Sequence, residues 1–253
     1  MITVRHIEVS GFEAAVRGMR NPMNSWHKSD SHACAFDSAE CIECSHLATD
    51  YCIGANDLDL MKRLFKAGAE HRKYLRMIHV TMDITAPLYW WKEFDTYKVG
   101  TTVNSCSTMH KIAAKEFDIG DFSHDHIPLG TDAMSDTWDM TTSKMYFYIN
   151  KEDGYYFNSE DLLLLTIDAL NHYRKMYLET KDKRYWWQMI QLLPTSYNQK
   201  RTVDFNYETL FTIIRQRTGH RLDEWNRFVE ILKHLPYVFE IGEYDEACKL
   251  SDV

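Results

Sequence analysis

The chain has little proline and glycine, five and ten residues among 253, which excludes a collagen-like or Pro/Gly-rich low-complexity architecture. It has no basic excess: Lys and Arg total 29 against 37 Asp and Glu, a formal charge of −8. Nucleic-acid binding, which needs a basic face to neutralise phosphates, is therefore not expected. A small anionic ligand, which needs only one or two local cations, remains open. No apolar run approaches the roughly eighteen residues of a membrane-spanning helix, and the opening residues lack a signal-peptide core. A cytoplasmic protein without membrane attachment is the expectation. In that compartment the six cysteines are expected as reduced thiols. Internal repeats, low-complexity tracts and clear linkers are also missing, so residues 1–253 are expected to form a single domain.

What the sequence does have is aromatic surface: fifteen Tyr, twelve Phe and seven Trp, a composition suited to large packed interfaces or stacking surfaces. Residues 77–110 organise the rest. Ile78, Val80, Met82 and Ile84 alternate with His79, Thr81, Asp83 and Thr85, the period of a half-buried strand. Ala86-Pro87 ends it, since proline cannot donate to a ladder but suits the first turn of a helix. The aromatic run 88–94 predicts a short buried helix. Thr96-Tyr97-Lys98, a polar turn and the hydroxyl-rich loop 104–108 follow, and a ligand would fit there.

Elsewhere, residues 1–10 read as a strand and 13–19 as a helix. Residues 56–68 predict a helix capped by Asn56, with Leu58, Met61, Leu64 and Phe65 as its apolar stripe. Further helices are expected over 160–178 with Ser159 as cap, 185–193, 206–217 and 222–235. Trp90, Trp91, Trp186 and Trp187 are expected in core or interface. Residues 27–55 form a Cys/His-rich insertion. Cys41-x-x-Cys44 has the spacing of half a zinc site, which Cys34, Cys52 or a histidine would complete. The second Cys-x-x-Cys is missing, so no metal is expected. The pair His124 and His126 lacks a third ligand at defined spacing and reads as loop.

The order Ala86-Pro87, aromatic helix, Thr96-Tyr97-Lys98, seven residues, Cys106 resembles the flavin-dependent thymidylate synthases. That family has Arg-His-Arg, seven residues and Ser in this place. The likeness extends along most of the chain. Asn24-Ser25-Trp26 falls where the family has a flavin-contacting serine, and His71 falls on the histidine of its Gly-His-Glu-Thr-Pro run. Leu193-Pro194, Asn206, Leu210 and Arg217 keep the family's mutual spacing, and Asp223-Glu224-Trp225 is similar to its Ala-Gln-Trp.

The resemblance implies an α+β fold with a central sheet packed by several helices, a homotetramer, and FAD held at subunit interfaces. Methylenetetrahydrofolate and NADPH would be co-substrates in C5 methylation of a pyrimidine nucleotide such as dUMP. It implies cofactor contacts at Ser25, His71, Lys98 and Asn206, and substrate contacts at Glu93, Thr101 and Arg217. It names no catalytic residue.

The residues themselves leave other roles open. Asn206 and Arg217 suit the two ends of a helix as cap and dipole partner, and His71 follows a helix-ending Gly68. Glu93 either faces a ligand, where it would suit an amino-bearing base such as cytosine, or pairs with Lys92 or Lys98. Cys106 is either a nucleophile activated by Lys98 or His110 or a small packed residue in a turn.

Two arginines and a histidine of the family are replaced by residues of which only Lys98 is cationic. Lysine lacks the bidentate fork of a guanidinium, and Glu93 stands where the family has a glutamine. The expected function is flavin-dependent C5 alkylation of dUMP or a variant of it. The alternatives are a non-catalytic relative that binds a nucleotide or a protein, and a zinc-stabilised interaction module.

Overall fold

Ile78, Val80, Met82 and Ile84 are all fully buried, and their strand lies at the centre of the molecule's main sheet. The computed structural model describes residues 2–34, 51–127, 147–150, 155–157 and 159–244, with backbone alone at 147–150 and 155–157. In chain order the regular elements begin with β1 (Thr3–Ser10), α1 (Phe12–Arg20), β2 (His32–Ala33), β3 (Tyr51–Cys52), α2 (Ala55–Lys66) and β4 (His79–Pro87). Then come α3 (Leu88–Phe94), β5 (Thr101–Ser105), α4 (Thr108–Lys111), β6 (Phe147–Asn150), β7 (Tyr155–Phe157) and α5 (Ser159–Thr180). The chain continues through α6 (Lys183–Leu192), β8 (Asn198–Asn206), α7 (Tyr207–Arg217), α8 (Asp223–Lys233) and α9 (Val238–Gly242). The class is α+β, as the sequence predicts. The chain divides into two compact units, one of residues 2–85, 92–105 and 200 onward, the other of 86–91 and 106–199.

The first unit carries a four-stranded sheet in the order β1-β4-β8-β5. β1 runs antiparallel to β4, Thr3 opposite Thr85, with a bulge between Arg5 and Glu8. β5 runs antiparallel to β8, Thr101 opposite Phe205. Because side chains alternate along a strand, Val80, Met82, Ile84, Val203 and Phe205 are all buried. The intervening residues of β4 and β8 are polar and pair across the strands. Asp204 takes His79 at 3.2 Å and Thr81 at 3.1 Å, and Asp83 takes Thr202 at 2.6 Å and Lys200 at 2.7 Å.

Two strands depart from what the sequence predicts. Residues 101–105, expected as turn and loop, form β5, an edge strand held by its backbone ladder while its side chains stay largely exposed. Such a strand needs no apolar alternation. β8 has only Val203 and Phe205 as fully buried apolar residues, too few for a period of two to stand out.

The expected helix at 56–68 is α2, but its cap differs. The side chain of Asn56 caps nothing; instead the carboxylate of Asp30 accepts the amides of Asn56 at 2.8 Å and Asp57 at 3.1 Å. Asp57 is fully buried and paired with Arg20 at 2.5 Å. It also accepts the hydroxyls of Ser29 (2.6 Å) and Ser31 (2.7 Å) and the amides of Asp30 and Ser31. This clasp ties α1, α2 and the segment before β2 together, and sequence proximity gives no sign of it.

The second unit has a core of Ile112, Phe117, Phe122, Leu163, Ile167, Leu170 and Met189, with Tyr173, Trp186 and Tyr197 packed against it. Asn171 on α5 holds the backbone of Phe117 through both its amide groups, at 2.8 and 2.9 Å. Trp90 and Trp91 are fully buried, and the indole of Trp91 donates to the carbonyl of Gln199 at 2.9 Å. They are core, not stacking platforms. Leu162, Leu164 and Leu165 on α5 and Trp187 and Leu192 on α6 are between 41% and 50% exposed. Among the described residues no helix is long and apolar enough to cross a membrane.

Burial alone would raise the Asp57 carboxyl, but the Ser29 and Ser31 hydroxyls and the Arg20 guanidinium outweigh it and hold the pKa below 3.8. A depressed folded pKa gives stability that is present above the unfolded value and lost as pH falls through the folded one. Asp57→Asn leaves a buried guanidinium unpaired and is expected to lower unfolding free energy in urea at neutral pH by about 3–5 kcal/mol. The gap between wild type and variant should narrow as the pH drops below the usual carboxylate range. A gap that stays constant to low pH would show that Asp57 is not the titrating group.

Candidate functional site

The loop that follows α3 is folded by its own backbone and stitched to the start of α7. The amide of Tyr97 donates to the carbonyl of Phe94 at 3.0 Å, and the Thr96 hydroxyl donates to that of Glu93 at 2.7 Å. Asn206 precedes α7 with extended backbone, and its Oδ1 accepts the Thr209 amide at 3.0 Å, a standard N-cap. The Asn206 amide donates to Gly100 O at 3.2 Å, and the Thr209 hydroxyl donates to Val99 O at 2.9 Å. Gly100 has φ of +73°, and a Cβ there would lie 2.3 Å from Asn206 Nδ2. Both facts require glycine. The Nδ2 of Asn206 has no hydrogen-bond partner among the described residues.

α7 is two-faced. Leu210, Phe211, Ile213 and Ile214 are at most 4% exposed. Glu208, Thr212 and Gln216, spaced four apart, share the opposite side. Between them and the stretch Thr96 to Val99 lies a cleft of about 390 Å³.

Two carboxylates neutralise the arginines at this place. Glu208, in the cleft wall, takes Arg72 through Nε at 3.1 Å and Nη2 at 2.8 Å, and the same guanidinium lies 5.2 Å from the Phe65 ring centre. Arg217 donates Nε to the Tyr97 hydroxyl at 2.9 Å and Nη1 to Glu93 Oε2 at 2.5 Å. Its guanidinium lies 4.5 Å from the Trp225 ring centre and 5.6 Å from that of Tyr97, within cation–π range. Glu93 Oε2 also accepts the Trp225 indole at 2.9 Å and lies 3.5 Å from His220 Nε2. The Tyr97 hydroxyl in turn donates to Gln216 at 3.0 Å. Lys98 is exposed in the cleft wall and pairs with no carboxylate among the described residues.

The expected site residues fall in several places. Lys98 lines the cleft, and Asn206 caps the helix that forms its far wall. His71 is exposed in a turn closed by its amide to Gly68 O at 3.0 Å, one residue before the Arg72 that holds Glu208. Thr101 begins β5 next to Gly100, with a buried hydroxyl that has no partner among the described residues. Glu93 and Arg217 come together, but as a pair with each other; Glu93 binds neither Lys92 nor Lys98. Ser25 lies apart from this cleft, against Arg20, whose Nη1 donates to Ser25 O at 3.4 Å.

Cys106 belongs to the other unit and is exposed, its carbonyl accepting the Gln199 amide at 2.8 Å. It is therefore not a packed turn residue. Cys52 is disulfide-bonded, which corrects the expectation of six reduced thiols and removes it as a thiolate ligand. Cys41 and Cys44 lie outside the described residues. No group of three metal-ligating side chains occurs among the described residues, His124 and His126 included. The sequence did not single out Glu208, Thr212, Gln216, Arg72 or His220. The four-residue spacing of the first three, out of phase with the apolar stripe of α7, was the available signal.

No family model and no curated protein matches the chain. Solved structures do. Flavin-dependent thymidylate synthase ThyX from Helicobacter pylori, complexed with FAD and dUMP, matches with a TM-score of 0.58 at 14% identity, over 96% of this chain and 98% of that one. A UMP/dUMP methylase, PolB from Streptomyces cacaoi, bound with 5-Br UMP, matches with a TM-score of 0.54 at 13% identity, over 96% and 94%. The chain has the flavin-dependent thymidylate synthase fold. At such low identity the likeness is one of fold.

Gly100→Ala tests the apposition that shapes the cleft. A left-handed backbone at a residue with Cβ costs about 1–2 kcal/mol, and the added carbon also pushes Asn206 off its cap, worth about 1 kcal/mol. Urea unfolding should report the sum, about 2–3 kcal/mol on those two terms. A loss below about 0.5 kcal/mol would mean that loop and helix do not meet as described.

Proposed function

We propose that this chain is a flavin-dependent transferase that alkylates C5 of a pyrimidine nucleotide such as dUMP or a variant of it. The observation that supports this is the cleft between residues 96–100 and α7, on a fold whose solved neighbours hold FAD with dUMP, or 5-Br UMP. Its residues fit an FAD in two respects. Asn206 has an unspent amide beneath a turn that only glycine can form, and Lys98 offers an unpaired cation for a pyrophosphate. His71, beside Arg72, and Ser25, from its separate position, complete the set. When bound, the flavin would supply the hydride and one-carbon chemistry, with methylenetetrahydrofolate and NADPH as co-substrates.

The protein's own contribution is orientation and charge. Lys98 holds an anionic group at the open side of the cleft. Tyr97 is fixed from both sides by Arg217 and Gln216, so its ring presents a rigid wall. Thr101 places a hydroxyl without a partner at the foot of the loop. Glu93 sets the charge of Arg217 by pairing with it.

A non-catalytic relative is the second reading, and the neutralised Arg217 favours it. Titrating the purified protein with FAD, followed by flavin fluorescence, separates the two. Saturable uptake that Lys98→Ala weakens about tenfold or more, the worth of one charge-assisted hydrogen bond, supports the enzyme. A folded protein that takes up no FAD would falsify it.

Self-association as a homotetramer belongs to the same proposal. The apolar surface of Leu162, Leu165, Trp187 and Leu192 favours burial against another copy. Light scattering is expected to give four times the 29.9 kDa chain mass, and a monomer that persists at high concentration would remove this part.

A further inference from the structure

We infer that the cleft gains little from a ligand's phosphate, so that a pyrimidine nucleoside binds about as tightly as its monophosphate, because carboxylates of the chain already pair with the two arginines bonded to the cleft wall. The inference rests on the proposed pyrimidine-binding role and deepens it by saying which part of the ligand is recognised.

The argument is one of charge and of rigidity. Lys98 and Glu208 line the cleft; behind its wall Arg72 is paired with Glu208, and Arg217 is bonded to the Tyr97 hydroxyl and paired with Glu93. The carboxylates cancel both arginines, so a single positive charge is left. A nucleoside monophosphate brings close to two negative charges at neutral pH. An FAD pyrophosphate in the same place would use the one remaining cation.

Arg217 cannot simply turn to a phosphate. Its guanidinium is held over Trp225 and beside Tyr97, and its side chain is 17% exposed. Glu93 is equally fixed, because its Oε2 is shared by Arg217 and the Trp225 indole. A phosphate arriving at Arg217 would meet a carboxylate already in place. Like charges at such range disfavour the complex. Arg72 is in the same condition, gripped by both oxygens of Glu208. The neutral part of the cleft wall, Thr96, Thr212 and Gln216, offers hydroxyls and an amide. Those are groups for sugar hydroxyls and base edges rather than for a dianion.

The test is calorimetric titration of the full-length protein, in excess FAD and again without it, with 2′-deoxyuridine and with dUMP. In the wild type the two are expected to bind within about threefold of each other, since the phosphate meets only the exposed Lys98, and an exposed ion pair contributes little. Glu93→Gln keeps the shape and frees Arg217. It is expected to tighten dUMP by about tenfold or more, one charge-assisted contact, while deoxyuridine moves less than about threefold. Glu208→Gln, which frees Arg72, should shift the ratio the same way and serves if Glu93→Gln does not fold.

Wild type binding dUMP more than about tenfold tighter than deoxyuridine overturns the inference. So does an unchanged ratio in both variants. Absence of FAD uptake removes the flavin reading alone, and the titrations without FAD still decide the charge preference. Failure of both pyrimidines to bind under either condition removes the pyrimidine role and this inference with it.

Discussion

The whole arrangement around the cleft depends on which way α7 faces. Leu210, Phe211, Ile213 and Ile214 are removed from water, and each such side chain contributes about 1.5–3 kcal/mol relative to exposure. No polar contact on the opposite side approaches that sum. Burial of the stripe therefore fixes the rotation of the helix, and Glu208, Thr212 and Gln216 point into the cleft as a consequence. The loop at 96–100 is then located by two bonds to the start of the same helix, made by the Asn206 amide to Gly100 and the Thr209 hydroxyl to Val99. Cleft position follows from apolar packing, and cleft chemistry is left to residues the packing does not constrain.

Those residues were chosen in compensating pairs. Glu93 lies on a helix otherwise dominated by aromatics, bonded to the Trp225 indole and next to Phe94, whose ring packs against Trp225 and Phe228. A lone carboxylate there would be costly, and so would a lone Arg217. Together, and with the indole donor of Trp225, they satisfy each other. A carboxylate at Glu93 thus makes physical sense as the partner of Arg217. Electrostatic neutrality at this corner and affinity for a dianion are opposed demands, and the geometry favours the first.

Much of this was legible in the sequence and some was not. The alternation of Ile78 to Ile84, the helix Leu88–Phe94 and the two-faced helix ending at Arg217 all follow from periodicity, because long apolar patterns are decided locally. The α+β class and the flavin-dependent thymidylate synthase fold were what the resemblance to that family implied. The strand Thr101–Ser105 was not legible, since an edge strand held by its backbone leaves no apolar imprint. Nor were Arg20 with Asp57, or Glu93 with Arg217, separated by 37 and 124 positions. Ion-pair partners are set by tertiary approach, and at each position several charged residues compete as candidates. Asn206 shows the boundary well. Its capping role was readable from residue type and place, but the unspent amide beneath Gly100 depends on a turn in another part of the chain.

The fold does not depend on the charges of the loop, for a physical reason. The elements that bring the loop to α7 are held by Phe94, Phe205, Tyr207, Trp225 and Phe228, all at most 1% exposed, and none of these contacts involves a phosphate-binding charge. The charge carried by the loop's exposed side chains therefore has little bearing on stability, because exposed charges contribute about 0–1 kcal/mol each. Gly100 is different. Its positive φ and its contact with Asn206 belong to the backbone path, so they persist whatever the loop's side chains become. The path of the chain is thus set independently of the charges around it, and what such a site binds must be worked out from the charges present.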